Sequence, residues 1–358
     1  MTNKTIISYM DLLILTFLCL MQAKSTKANH AINSLIFIIH EDGFYDYFDG
    51  NKYKSAAKES TKKAKNVAHT FTQGEVFIFR QKPVVKNFFQ LAKKSLTAYY
   101  YSGGELISKK KYHRENHNTN FEIEFEFYNL NSQTVINPDR EHMHVFYYFG
   151  KPIPEIQTPG YSKSVEHGIF SAKEFFGGLA KFTHAFKKKF DALILASGYG
   201  STPGMVEKSI RIADYYIASS GPLSNVSYEL TKLAIIDNSH REQLHNFLKK
   251  MVDASFSTLK SKSVEEVGIN LYEGAKIRPL LKPISKSYKE LLAEFNSDTY
   301  AKKSFIDCSK HPSFLKDGEN FFQSQELRNS IYKVYRKAYY GWSYEKIYNS
   351  GWACPIYP

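Results

Sequence analysis

The segment Ser197-Gly198-Tyr199-Gly200-Ser201 is the part of this chain whose residue types come nearest to an active-site loop. It follows an apolar run at residues 191–196 and leads into Thr202-Pro203-Gly204, which reads as a helix start. Open α/β sheets place their sites where a buried strand empties through such a loop into a helix. Here the loop offers small hydroxyls and glycines, with no cysteine, histidine or carboxylate. It has the form of an active-site loop without its nucleophile. A glycine-rich loop opening a helix could also hold an anion on backbone N–H groups, but the lysine and spacing of a phosphate-binding loop are missing.

Other reactive residue types are scattered. His40, with Asp42 and Asp49, could bind a metal or orient a substrate; polar residues at a strand end more often hold a loop or cap a helix. His142 and His144 lie two apart, a spacing that suits two ligands on one strand face, but no third ligand accompanies them. We read them as structural and expect neither a metal nor a cofactor. Cys308-Ser-Lys-His311 pairs a thiol with an imidazole, outside the loops of the expected sheet. Asn225-Val-Ser227 is a glycosylation sequon without meaning if the chain is exported by a bacterium.

The elements that must position these residues alternate. Residues 34–39, 75–79, 144–149, 191–196, 213–220 and 267–272 read as strands, the last closing the core. Residues 52–69 read as an exposed helix, and 243–259 as another. Ser171-x-x-Glu174 is a capping box for a helix with apolar positions Phe175, Leu179, Phe182 and Phe186. Residues 96–111 form a β-hairpin turning at Gly103-Gly104, an insertion in the α/β pattern. Residues 121–127 alternate with period two, which favours a strand over a helix. Strand–helix alternation predicts an α/β fold, with a largely parallel sheet covered on both faces.

Composition sets the frame. The chain has 358 residues, 43% hydrophobic and 15% aromatic, enough for a large core. Lys4, the apolar stretch 12–21 and small residues near Ala23 read as a signal peptide at 1–25, with Asp11 an awkward entry. That stretch is too short to span a bilayer. A secreted or periplasmic protein without a transmembrane span follows. Removing the leader takes Cys19 and leaves Cys308 and Cys354, which suggests one disulfide; two buried thiols is the alternative. The formal charge is +13, with lysines clustered at 52–65, 109–111 and 187–189. Such a surface could take an anionic polymer. No nucleic-acid module accompanies it, so a solvated basic surface is the simpler reading.

Several short pieces also resemble the clostripain-like cysteine peptidases of the caspase–hemoglobinase fold, in particular secreted bacterial members. They are His40-Glu41-Asp42-Gly43-Phe44-Tyr45, residues 75–79, Tyr148-Phe149-Gly150-Lys151-Pro152-Ile153-Pro154-Glu155, Thr202-Pro203, Ile217-Ala218-Ser219, Leu271-Tyr272 and Ser350-Gly351-Trp352-Ala353-Cys354. The resemblance implies a caspase-like domain at 30–300 and an aromatic extension at 301–358 packed on it. It also implies a histidine after the third core strand and a cysteine after the fourth, the thiolate attacking the carbonyl and the imidazole moving protons. Alignment puts Lys151 at the histidine position and Gly198 at the cysteine position.

With both dyad positions degenerate, no catalytic residue is expected. The resemblance implies an inactive homologue that binds a peptide or protein in a cleft of His40, Asp42, Lys151, Ser197, Gly198, Tyr199 and Ser201. Lys151 would favour carboxylate-bearing ligands there. The alternative is an active hydrolase in which Lys151 activates Ser197 or Ser201 as a serine–lysine dyad.

Overall fold

The computed structural model describes residues 33–356, except 42–45, 49–50, 83–84, 88–89, 115–119, 137–141, 157–170, 222–227, 239, 263–267, 297–298, 300–303, 317–318 and 336–349. The expected signal peptide, Asp42, Asp49 and the Asn225 sequon lie outside the described residues.

The main sheet is built from β1 (Ser34–His40), β2 (Glu75–Gln81), β3 (Val85–Asn87), β4 (Gln90–Ser102), β5 (Glu105–Arg114), β6 (His144–Phe149), β7 (Phe190–Ala196), β8 (Ala213–Ser219), β9 (Gly268–Glu273) and β10 (Ile331–Tyr335). Its order is β10-β9-β8-β7-β6-β1-β2-β4-β3, with β5 also paired to β4. The five central strands β8, β7, β6, β1 and β2 run parallel. On one side β9 pairs antiparallel with β8 and β10 antiparallel with β9; on the other β4 pairs antiparallel with β2 and β5 antiparallel with β4. β1, β6 and β7 are buried along their whole length, which is why their sequences are almost unbroken apolar runs.

Alternate residues of β1 feed two separate cores. Ile36 and Ile38 join one cluster, Leu35, Phe37 and Ile39 the other. The helices are α1 (Ala56–Thr70), α2 (Glu122–Asn131), α3 (Ala172–Ala185), α4 (Pro203–Ile212), α5 (Leu244–Lys262) and α6 (Leu281–Ala293). Residues of α2, α3, α4 and α6 pack into the first cluster, residues of α1 and α5 into the second. The sheet is therefore covered on both faces, as expected. Ser171 caps α3: its hydroxyl accepts from the Glu174 N–H at 3.4 Å.

Three expectations are corrected. Residues 121–127 do not form a strand; they open α2. Phe121, Glu124, Phe127 and Tyr128 are the buried positions, a helical stripe that the alternating Phe and Glu pattern conceals. The helix expected at 52–69 begins at Ala56 after the short strand Tyr53–Ser55, and it is not merely exposed. Its small residues Ala57, Ser60, Ala64 and Ala68 are buried, so it sits close to the sheet. Third, β9 is not the last strand. β10, from the tail, pairs outside it in antiparallel register.

Cys308 and Cys354 form a disulfide, closing 46 residues of sequence separation. The joined segments also pair as strands, Ser304–Asp307 with Ala353–Ile356. Trp352 is fully buried and packs on Tyr272 and Phe322, at ring centroid distances of 5.3 and 5.7 Å. Among the described residues no helix is long and apolar enough to cross a membrane.

Candidate functional site

Parallel neighbours β1, β6 and β7 end together. Their registers pair Ile39 with Phe149 and Phe149 with Ala196, so His40, Gly150 and Ser197 continue side by side beyond them. Two strand spacings, about 10 Å, separate His40 from Ser197. The structure thus gathers His40, Lys151 and the loop 197–201 at one carboxyl edge of the sheet. Their local setting follows from packing. The His40 ring is buried, 5.3 Å from Tyr148 and 6.3 Å from Phe121 between centroids. A Cβ at Gly150 would overlap the Tyr148 hydroxyl, so any larger residue there would have to displace that ring. Lys151, one residue further, is half-buried.

The loop after β7 is held from several sides. The Tyr199 and Ser201 N–H groups donate to Gly221 O at 3.0 Å and Ser219 O at 3.1 Å. The Tyr216 hydroxyl donates to Gly200 O at 2.7 Å. Burial pushes that phenol well above its ordinary pKa, which keeps it a neutral donor. Thr202 caps α4, its hydroxyl accepting from the Met205 N–H at 3.3 Å. The Tyr199, Ser201 and Met205 N–H groups are thus committed to protein acceptors and are not offered to an anion. Tyr199 sits in left-handed backbone at φ 55° and stacks on Phe305 at 4.1 Å. Gly198, by contrast, is not among the described glycines with positive φ.

The two serines differ. Ser201 is fully buried and accepts from Asn270 Nδ2 at 3.2 Å, while its carbonyl accepts from the Ala353 N–H at 3.1 Å. It ties β9 and the disulfide-bonded tail to the loop. Ser197 is 2% exposed, and its hydroxyl has no hydrogen-bond partner among the described residues. Neither serine hydroxyl is bonded to Lys151. The serine–lysine alternative therefore lacks both an accessible hydroxyl and a formed contact. Among the described residues, solvent reaches Lys151, Pro152, Tyr199 and the Arg80–Glu41 ion pair at 2.7 Å here.

One residue here carries a role that its sequence context does not announce. Glu155 accepts from the Tyr288 hydroxyl and lies against Gly204, where a Cβ would overlap its carboxylate. A carboxylate at the start of α4 suits the positive end of the helix dipole. Only a contact across the fold reveals it; the motif containing Glu155 gives no local hint.

The remaining candidates lie elsewhere in the fold. His144 stacks on Phe186 at 3.9 Å, and its Nε2 lies 3.2 Å from the Thr134 hydroxyl. Burial, then the nearby Lys188 and His142 charges, hold its pKa well below the ordinary value. Among the described residues no three His, Cys, Asp or Glu side chains gather as metal ligands. Cys308 is spent in the disulfide, and His311 is buried beside Phe314. The 187–189 lysine cluster is partly turned inward: Lys188 donates to His142 O, and Lys189 to Ile210 O at 3.4 Å.

No family model matches the sequence, and no curated protein matches it. Solved structures do match the fold. An inactive zymogen C11 protease from Parabacteroides distasonis aligns at TM-score 0.54 and 13% identity, over 91% of each chain. A secreted C11 cysteine protease from Bacteroides thetaiotaomicron, bound to an irreversible peptide inhibitor, aligns at TM-score 0.57 and 9% identity, over 92% of this chain and 89% of that one. A further structure of a secreted C11 cysteine protease from Bacteroides thetaiotaomicron, "iotapain", aligns at 0.50 and 13%, over 86% and 87%. The chain has the C11 clostripain-like fold.

Proposed function

We propose that this chain is a catalytically inactive relative of the C11 cysteine proteases that binds a peptide or protein segment at the carboxyl edge of β1, β6 and β7. The observation that carries the reading is the content of the loop after β7. Where the resemblance expects the attacking thiol stands Gly198, and the neighbouring hydroxyls are buried. Losing a nucleophile costs about 10⁶ in turnover. Lys151, in place of the proton-handling imidazole, is a fixed cation at the rim. It favours a ligand carboxylate over the cationic side chains that clostripain-like enzymes take. Secretion of a C11 cysteine protease from Bacteroides thetaiotaomicron, whose structures share this fold, supports an extracellular or periplasmic setting, together with the leader read at 1–25 and the disulfide.

The test is turnover of a broad fluorogenic peptide library by the purified protein, beside a Gly198→Ala, Lys151→Ala double variant. Equal, background-level rates are expected. Turnover blocked by a serine-directed reagent would overturn the reading and promote Lys151 with Ser197 or Ser201. Binding is read by fluorescence anisotropy with acidic and basic peptide pools. Acidic peptides should bind more tightly, and Lys151→Gln should erase the preference.

A further inference from the structure

Helices α4 and α6 pack against each other and leave a groove of about 510 Å³ on the outer surface. Its lining holds five cations, Arg211, Arg278, Lys282, Lys286 and Lys289, against a single carboxylate, Glu207. The spacing is helical. Lys282, Lys286 and Lys289 stand at i, i+4 and i+7 of α6, one face spanning about 10 Å of helix. Among the described residues none of these three lysines has a carboxylate partner. Between them, at the floor, sits Ser285. It is only 8% exposed, and its hydroxyl has no hydrogen-bond partner among the described residues. A buried hydroxyl without a partner costs stability, and so does crowding five like charges. An anion in the groove would relieve both.

The two arginines narrow the chemistry. Arg211 pairs with Glu207, and Arg278 donates to Ile210 O at 3.2 Å. Each guanidinium is thus engaged through one nitrogen by a protein acceptor, which draws its fork partly away from the groove. The unpaired cations are lysine ammoniums, point charges without a preferred plane, which suit oxyanions whose oxygens point in several directions. The volume falls in the range of small-ligand sites, about 300–1,000 Å³.

We propose that the α4–α6 groove binds a small oligoanion carrying two or more phosphate or sulfate groups, with Lys282, Lys286 and Lys289 as the charge contacts and Ser285 as a hydroxyl donor. The site is separate from the loop after β7, and the proposal stands whether or not the chain is a peptidase.

Isothermal titration calorimetry of the full chain tests it with tripolyphosphate, a fully sulfated heparin disaccharide and tetraglutamate. Tripolyphosphate or the disaccharide is expected to bind, the tighter one identifying a phosphate or a sulfate source, and tetraglutamate is expected not to. Lys282→Gln with Lys286→Gln, both exposed positions, should weaken binding about tenfold or more. Ser285→Ala should weaken it by about two- to tenfold, the range of one hydrogen bond. Lys58→Gln with Lys62→Gln, on the exposed face of α1, should leave it unchanged. The proposal fails if neither tripolyphosphate nor the disaccharide binds, if tetraglutamate binds as well as they do, or if the α1 pair weakens binding equally.

Discussion

Ser197 and Ser201 share one loop and one residue type, yet they contribute to stability with opposite signs. The Ser201 hydroxyl satisfies a buried Asn270 N–H at 3.2 Å. Ser201→Ala leaves that donor orphaned and should cost about 1–3 kcal/mol in urea unfolding. The Ser197 hydroxyl is buried without a partner among the described residues, so Ser197→Ala should be neutral or mildly stabilising. Equal losses in the two variants would contradict this assignment. The sequence located both serines, because an apolar run, small loop and Pro-opened helix are local signals. It could not rank them, because Asn270 lies 69 residues away and the Ala353 contact is more distant still. His144 gives a second test at this scale. Burial first, then Lys188 and His142, hold its folded pKa well below the ordinary 6.5. The unfolded chain therefore takes up a proton near that value while the folded one does not. This contribution is complete above pH 6.5 and is lost as pH falls below it. His245 and His311 shift the same way and share the slope. In His144→Gln the stability–pH curve below 6.5 should flatten by up to about 1.4 kcal/mol per pH unit. An unchanged slope would show that His144 is not responsible.

At the scale of elements, local patterns succeeded where packing agreed with them. β1, β6 and β7 were legible because strands buried on both faces leave unbroken apolar runs, and α3 because Ser171 and Glu174 announce its start. Residues 121–127 misled because Phe and Glu in alternation satisfy period two, while the buried set Phe121, Glu124, Phe127 and Tyr128 obeys the helical period. A buried Glu124 is a choice that only the tertiary environment reveals. The tail was illegible for a different reason: its order comes from distant partners. The Asp307 carboxylate accepts from the Ser309 N–H at 2.8 Å and the Ser350 N–H at 2.9 Å, and the Ser350 hydroxyl donates to it as well. The disulfide then fixes this arrangement covalently. Cys308→Ser with Cys354→Ser should lower stability by about 2–4 kcal/mol, the range expected for loops of this length. The double variant should lose the near-UV dichroism of Trp352 before the main sheet unfolds in urea. Coincident loss of both signals at the wild-type midpoint would refute that coupling.

For the whole molecule, the sheet's five parallel strands are protected inside antiparallel wings, and that leaves edges to guard. Among the described residues β5 is paired only to β4, which leaves one side of its backbone without a strand partner there. Leu106 and Ile107, 46% and 58% exposed, add apolar surface there. An open edge with exposed apolar residues is a template for pairing with another chain. The triplet Lys109-Lys110-Lys111 stands along the same strand. Lys109 and Lys110 lie 5.7 and 4.9 Å from the ring centroids of Tyr99 and Tyr112, which keeps their charges against the sheet surface. We expect these lysines to act mainly against self-association, since a second strand would have to bring its own triplet beside them. Replacing all three with threonine keeps the strand propensity and removes the charges. The variant should form concentration-dependent oligomers in sedimentation velocity, while the monomer at low concentration loses no more than about 1–2 kcal/mol from the two ring contacts. Lys58→Gln, Lys62→Gln and Lys250→Gln remove the same charge from exposed helix positions. That variant should stay monomeric. If both variants associate alike, net charge rather than the edge keeps the protein apart. If neither does, the open strand is shielded by something other than its lysines.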